Sequence, residues 1–268
     1  MLHNFKLTIE YDGTDYCGWQ IQNNKSEIRN PKSEINSKSQ IQNPKLKTVQ
    51  GEVERALEKI FSKKISIAGS GRTDTGAHAL AQVANFKCEA RLKSRDIKNA
   101  LNANLPSDIR IKAVNEVPLK FHARFSARSK VYRYLILKRP VNSVFYRRLS
   151  WWIPRKLNFS LMCKESKVLL GRHNFKAFAA TDRKRKSSNF VRAVKRISLK
   201  ESGNFIVFEI ESDGFLYSMV RNIIGTLVEV GRGRFSAGST KRILASRDRK
   251  LAGPTAPASG LFLAKVKY

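Results

Sequence analysis

The stretch Gly69-Ser70-Gly71-Arg72-Thr73-Asp74-Thr75-Gly76-Ala77-His78-Ala79 gathers one carboxylate, one arginine and three glycines into a short span. Its glycines permit close approach of a ligand to the backbone, and Thr73 and Thr75 can bond locally and fix where Asp74 points. An ordinary polar turn uses the same residue types, so the question is which chemistry the pattern adds. Asp74-Thr75-Gly76 is the tripeptide of aspartic proteases, whose mechanism needs two carboxylates sharing a proton. The nearest second copy is Ser212-Asp213-Gly214, so a protease would need a homodimeric site, and an apolar lead-in where Gly71-Arg72-Thr73 stands. Gly71 to Gly76 has the glycine spacing of a phosphate loop, but Ala77-His78 occupies the place of the required Lys-Ser/Thr pair. A third reading is a single nucleophilic aspartate beside an arginine.

The surrounding pattern presents this loop between strands. Lys64 to Ala68 alternates upstream and Gln82 to Phe86 downstream. Phe5, Leu7, Ile9 and Tyr11 alternate with Lys6, Thr8 and Glu10 as a half-buried strand, which turns at Tyr11-Asp12-Gly13-Thr14 toward Gly18-Trp19-Gln20. Trp19 fits a buried core aromatic and a cleft wall equally well. Thr48 caps a helix with Val53, Ala56, Leu57, Ile60 and Phe61 on its buried face. A second helix over 94–104 buries Ile97 and Leu101 before Pro106 stops it, and Ile109, Ile111 and Ala113 resume a strand. Val117-Pro118 divides the chain into 1–116 and 117–268. The second half opens on basic residues interleaved with aromatics, Phe121 to Lys130, and runs into a strand over 131–137 with Tyr132 and Tyr134 on one face and Arg133 on the other. Phe205 to Ile210 is a strand, Tyr217 to Val230 an apolar helix, and 261–268 a final strand. Within that helix Arg221-Asn222 interrupts an apolar run, so the charge at 221 must find a partner or face a cleft. The fold class is α+β.

Composition narrows the partner. Fifty-two Lys and Arg against 21 Asp and Glu give a net charge of +31 over 268 residues. Such a surplus attracts polyanions through counterion release, so nucleic acid is the expected partner. No apolar run of about 18 residues and no targeting segment at the amino terminus point to a membrane. Cys17, Cys88 and Cys163 are odd in number and scattered, which suits a reducing cytoplasm. They make no zinc-type spacing with His3, His78, His122 and His173, so no metal is expected. Arg183 to Lys186 is a basic run in a loop, either a solvated surface or an RNA backbone contact. Residues 23 to 47 carry three imperfect copies of one polar unit, at Lys25, Lys32 and Lys38, with Pro31 and Pro44. Isolated isoleucines cannot offset the entropy of ordering such a stretch, so it reads as a disordered insertion.

The loop around Asp74 closely resembles the catalytic loop of the TruA family of tRNA pseudouridine synthases. Tyr11-Asp12-Gly13, Gly18-Trp19-Gln20, Thr48-Val49-Gln50-Gly51, Phe121-His122-Ala123-Arg124, Tyr132-Arg133-Tyr134, Met219-Val220-Arg221-Asn222 and Gly260-Leu261 extend the resemblance, in the family's order, over nearly the whole chain. The insertion departs from it. The resemblance implies two pseudo-symmetric halves whose antiparallel sheets join into one, with helices on one side, a central basic cleft, and a homodimer that grips one tRNA. It implies conversion of uridine to pseudouridine at positions 38 to 40 of the anticodon stem-loop, with no cofactor because the isomerisation is redox-neutral. Asp74 would be the catalytic nucleophile, acting by covalent addition or through a ribose intermediate. Arg221 would pair with it and keep it ionised. Arg72 would fill the space left by the flipped nucleotide. Tyr132 would stack on the uracil and help remove the C5 proton, Leu261 would close the apolar wall, and His78, Tyr134 and Arg124 would add substrate contacts. Two rivals fit the charge: a noncatalytic RNA-binding protein, which gives no reason for Asp74, and a methyltransferase, which needs a cofactor loop that Gly69-x-Gly71 does not supply.

Overall fold

Alternation in the first strand is realised as β1, Leu2–Tyr11, in which Phe5, Leu7, Ile9 and Tyr11 are buried. It lies between β3, His78–Glu89, and β4, Ile109–Val117, antiparallel to both. The computed structural model describes residues 1–20, 47–89, 92–180 and 189–268. The expected insertion over 23–47, but for Lys47, and the basic run at 183–186 lie outside the described residues.

Helix α1, Val49–Phe61, begins where Thr48 accepts the Gly51 N–H at 3.2 Å, and it buries Val53, Ala56 and Leu57. Helix α2, Ser94–Asn104, buries Ile97 and Leu101, as its spacing predicts. Both helices share one core with β1. The strand expected at 64–68 is reduced to β2, Ala68–Gly69. Ile65 and Ile67 are buried with the expected alternation, but side chains of α1 take up the backbone there: the Ile67 N–H donates to Glu54 Oε1 at 3.0 Å. The following strand starts at His78, four residues before the expected Gln82.

The second half supplies β5, Ser129–Leu137, β6, Trp151–Trp152, α3, Phe159–Lys167, and β7, Gly171–Asn174. These are followed by β8, Val191–Ser202, β9, Phe205–Ser212, α4, Met219–Gly231, α5, Ser239–Ser246, and β10, Leu261–Lys267. Among the described residues ten strands form one sheet, in the order β4-β1-β3-β10-β5-β9-β8-β7, with β2 on β3 and β6 on β5. The architecture is α+β, and the sheet is mixed. β10 joins β3 in parallel, Phe262 opposite His78 and Leu263 opposite Ala79, while it runs antiparallel to β5. This seam places the site. β3 begins just after the Asp74 loop, β10 begins at Leu261, and β5 sets Tyr132 opposite Leu263 and Tyr134 opposite Leu261. Residues distant in sequence therefore meet at one end of the central strands. No helix among the described residues is long and apolar enough to cross a membrane.

Candidate active site

The loop before β3 is tied down at nearly every residue. The Ser70 N–H donates to the Val83 carbonyl at 2.7 Å, and Gln82 accepts from the Ser70 hydroxyl at 2.7 Å and donates to the Gly71 carbonyl at 2.8 Å. The Tyr11 hydroxyl meets Thr73 Oγ1 at 2.8 Å, the Ala77 N–H donates to the Asp74 carbonyl at 3.1 Å, and the Gly76 N–H donates to the Tyr16 carbonyl at 3.3 Å. Gly18 has φ +85°, and a Cβ there would lie 2.4 Å from the Thr73 carbonyl oxygen, so only glycine lets the 18–20 turn close on the loop. Trp19, read as either core or cleft wall, serves as both: it is buried, and one edge lines the cleft against Gly69. A group held this way needs little reorganisation to react.

Asp74 faces Arg221. The guanidinium Nη1 donates to Asp74 Oδ2 at 2.8 Å, with 19% of the arginine side chain and 15% of the aspartate exposed. Arg221 Nε donates to the Ala256 carbonyl at 2.7 Å, and the Ala256 N–H returns a bond to the Arg221 carbonyl at 3.2 Å. The charge embedded in the apolar helix α4 thus has the partner that burial demands. Segment 253–256 can approach α4 this closely because residue 225 is glycine: a Cβ there would lie 1.7 Å from the Pro254 carbonyl oxygen. Ser218, just before α4, takes a left-handed φ of 55° and directs its hydroxyl to Asp74 Oδ2 at 3.4 Å. Such backbone in a non-glycine residue is a strained arrangement of the kind that clusters at functional sites.

A cleft of about 400 Å³ opens around this pair, within the size range of small-molecule sites. Asp74, Arg221, Tyr132, Leu261, Arg72 and Arg124 all line it. Among its described lining residues Asp74 is the one carboxylate, against Arg72, Arg124, Lys130 and Arg221. Tyr132 sits edge-on to Phe215, with ring centroids 5.0 Å apart. Burial pushes the Tyr132 phenol well above its ordinary range, and the nearby Tyr11 and Asp74 add to the shift. Arg72 is exposed at the mouth, with Nε donating to Gln20 Oε1 at 3.0 Å. Arg124 lies over the Phe125 ring at 5.6 Å, and that ring is 77% exposed along the cleft.

His78 and Tyr134, expected as substrate contacts, do not line the cleft. His78 is 1% exposed and stacks on Phe262 at 4.7 Å. Its Nε2 faces the Ser259 carbonyl at 3.1 Å and so donates to it, while Nδ1 lies 3.0 Å from both the Gly13 N and Asp12 Oδ1. His78 holds the Asp12 carboxyl well below the usual carboxylate range, against the opposing effect of burial and with help from Thr14. Tyr134 is 0% exposed and donates to the Pro257 carbonyl at 2.8 Å. Both pin the segment before β10 rather than meet a ligand. The sequence reading gave no role to Ser218, Phe215, Ala256 or Lys130. Only Lys130 carried a signal, as the last basic residue of the interleaved stretch, at the start of β5.

A family profile described as tRNA pseudouridine synthase matches residues 7–126 and 166–268. A protein named tRNA pseudouridine synthase A from Acetivibrio thermocellus is 42% identical over 267 residues, covering 100% of both chains. A protein of the same name from Moorella thermoacetica is 41% identical over 263 residues, covering 98% of each. Another, from Geobacillus kaustophilus, is 40% identical over 269 residues, covering 100% of this chain and 95% of its own.

Proposed function

This chain belongs to the tRNA pseudouridine synthase family, and from that premise we propose that it isomerises uridine to pseudouridine at positions 38 to 40 of the anticodon stem-loop, with Asp74 as the catalytic nucleophile. The observation that carries the reading is the Asp74–Arg221 pair, the one carboxylate among the described lining residues of a cationic cleft, fixed at 2.8 Å from its guanidinium. A negative charge there opposes phosphate binding, so it needs a purpose beyond affinity.

In this reading the uridine flips out of the stem, because its glycosidic bond is unreachable in a stacked helix. Arg72, at the mouth, fills the vacated space. Tyr132 stacks on the uracil and Leu261 closes the wall. Asp74, held by its pairing with Arg221, attacks by covalent addition or assists through a ribose intermediate; the N1–C1′ bond breaks, a C5–C1′ bond forms, and the C5 proton leaves as N1 is protonated. The two halves, 1–116 and 117–268, each contribute to the cleft, Asp74 and Arg72 from the first, Tyr132, Arg221 and Leu261 from the second. Two chains form a homodimer that grips one tRNA, which sedimentation checks: a fully active monomer contradicts it.

The test of the activity is incubation of the purified protein with an unmodified tRNA transcript and no added cofactor, followed by position-resolved mapping of pseudouridine. Conversion at one or more of positions 38 to 40 supports the reading. Tight binding without conversion would favour a noncatalytic RNA-binding protein instead.

A further inference from the structure

Beside the Asp74–Arg221 pair the cleft holds a second charged centre. Lys130 stands on β5 two residues before Tyr132 and so on the same face of the strand. Its ammonium donates to the Ser70 carbonyl at 2.6 Å, directly on the catalytic loop. It fits there because residue 71 is glycine: a Cβ would lie 2.6 Å from Lys130 Nζ. An ammonium has three donors. Among the described residues the Ser70 carbonyl is the one hydrogen-bond acceptor Lys130 has, and no carboxylate pairs with it. Arg124, on the same cleft wall, makes no ion pair among the described residues either. Burial, with a smaller contribution from the charge of Arg124, lowers the Lys130 pKa to about 8. A half-buried ammonium with donors left over, in a cleft wall that also carries the exposed Arg124, calls for an anion from outside the chain.

We propose that Lys130, with Arg124 beside it, binds a backbone phosphodiester of the RNA strand next to the flipped uridine. The contact joins substrate to catalyst over a short path: the same ammonium that holds the phosphate holds the Ser70 carbonyl, four residues before Asp74. Docking of the correct strand thereby fixes the loop. The assignment rests on the reading of the cleft as the seat of a uridine in RNA.

The experiment uses stem-loop RNA in which one phosphodiester at a time, at the linkages flanking the target uridine, is replaced by an uncharged methylphosphonate. Parent, Lys130→Met and Lys130→Arg are compared by affinity, salt dependence and single-turnover rate. Lys130→Met is expected to bind unmodified RNA about 10- to 100-fold more weakly, the size of a lost charge-assisted hydrogen bond. Its plot of log affinity against log salt should be shallower by roughly 0.7–0.9, one phosphate contact. At one flanking linkage the methylphosphonate should weaken the parent by a similar factor and leave Lys130→Met unchanged. Lys130→Arg should restore most of the affinity. If every methylphosphonate costs Lys130→Met as much as it costs the parent, the assignment is wrong. A lower melting temperature and rate with an unchanged salt slope also overturns it, since that is what a mere clamp on the Ser70 carbonyl would give. These outcomes leave the activity standing as long as the parent converts unmodified RNA. Absence of pseudouridine from the parent would remove the functional reading and this assignment together.

Discussion

Replacing Arg221 by Lys and by Ala separates the charge beside Asp74 from the geometry that delivers it. The guanidinium spans two acceptors, Asp74 Oδ2 at 2.8 Å and the Ala256 carbonyl at 2.7 Å. A lysine at this position keeps the charge but has one nitrogen at its tip, which cannot reproduce the planar fork. One charge-assisted hydrogen bond is then lost, worth about 1.5–3 kcal/mol. If that loss falls on the transition state, the rate drops about 10- to 150-fold, at about 1.4 kcal/mol per decade. Alanine removes both bonds and leaves a carboxylate that is only 15% exposed without its cationic partner, with the Ser218 hydroxyl at 3.4 Å as its remaining side-chain donor among the described residues. Breaking one side of a buried pair costs about 3–5 kcal/mol, and the residual exposure places this site at the lower end, so a loss of at least about 100-fold is expected. The assay is single-turnover pseudouridine formation with enzyme in excess of a tRNA transcript, alongside thermal melts that establish how much of each variant is folded. Folded Arg221→Ala within about threefold of the parent would show that the pair does not support the reaction, as would an alanine variant faster than the lysine one.

Gly225→Ala forces α4 away from the Pro254 carbonyl and so loosens the Ala256 bracket on Arg221; overpacking of this kind costs about 1–3 kcal/mol, so the melting temperature and the single-turnover rate should both fall, and an unchanged melt would contradict the close approach. Tyr134→Phe removes a buried hydrogen bond to the Pro257 carbonyl, which should cost about 0.5–1.5 kcal/mol of stability while the rate at saturating enzyme stays near the parent's; a rate loss above about tenfold without destabilisation would return Tyr134 to the substrate. Lys130 is protonated below its pKa of about 8 and neutral above it, so RNA affinity should decline as pH rises from 7.5 to 9, and Lys130→Arg, which stays charged, should abolish that decline. The other ionisable side chains lining the cleft are Arg72, Asp74, His122, Arg124, Tyr132, Tyr217 and Arg221, and the decline must persist when His122 is replaced by Gln.

Elements with one regular period and a cap were legible in the sequence. Thr48 marked the start of α1, and the bounds of α2 agreed to the residue, because Pro106 leaves the helix no room to continue. The 64–68 strand failed for a reason outside its own sequence: Glu54 on α1 takes the backbone N–H that a neighbouring strand would have used. β8 went unread because its register slips between Val194 and Arg196, which breaks the period of two. α3 was hidden by a polar residue on its buried face, Glu165, whose carboxylate accepts the Gly238 and Thr240 N–H groups. In the site, Arg221 announced itself as a charge inside an apolar helix, and Asp74 through its loop. The Ala256 and Ser70 carbonyls that hold Arg221 and Lys130 left no mark, since every residue carries a carbonyl. His78 and Tyr134 lie within four residues of cleft residues in sequence yet face the segment before β10, where His78 meets the Ser259 carbonyl and Tyr134 the Pro257 carbonyl.

Asp74→Asn isolates the role of the carboxylate in the chemistry by keeping the shape and removing the charge. The measurement is single-turnover tritium release from tRNA labelled at uridine C5, with the variant saturating. Release should fall below detection while tRNA binding survives or tightens, because a negative charge has left a cleft that attracts phosphates. Release within about tenfold of the parent, a barrier change of only about 1.4 kcal/mol, would show that Asp74 is not the catalytic residue.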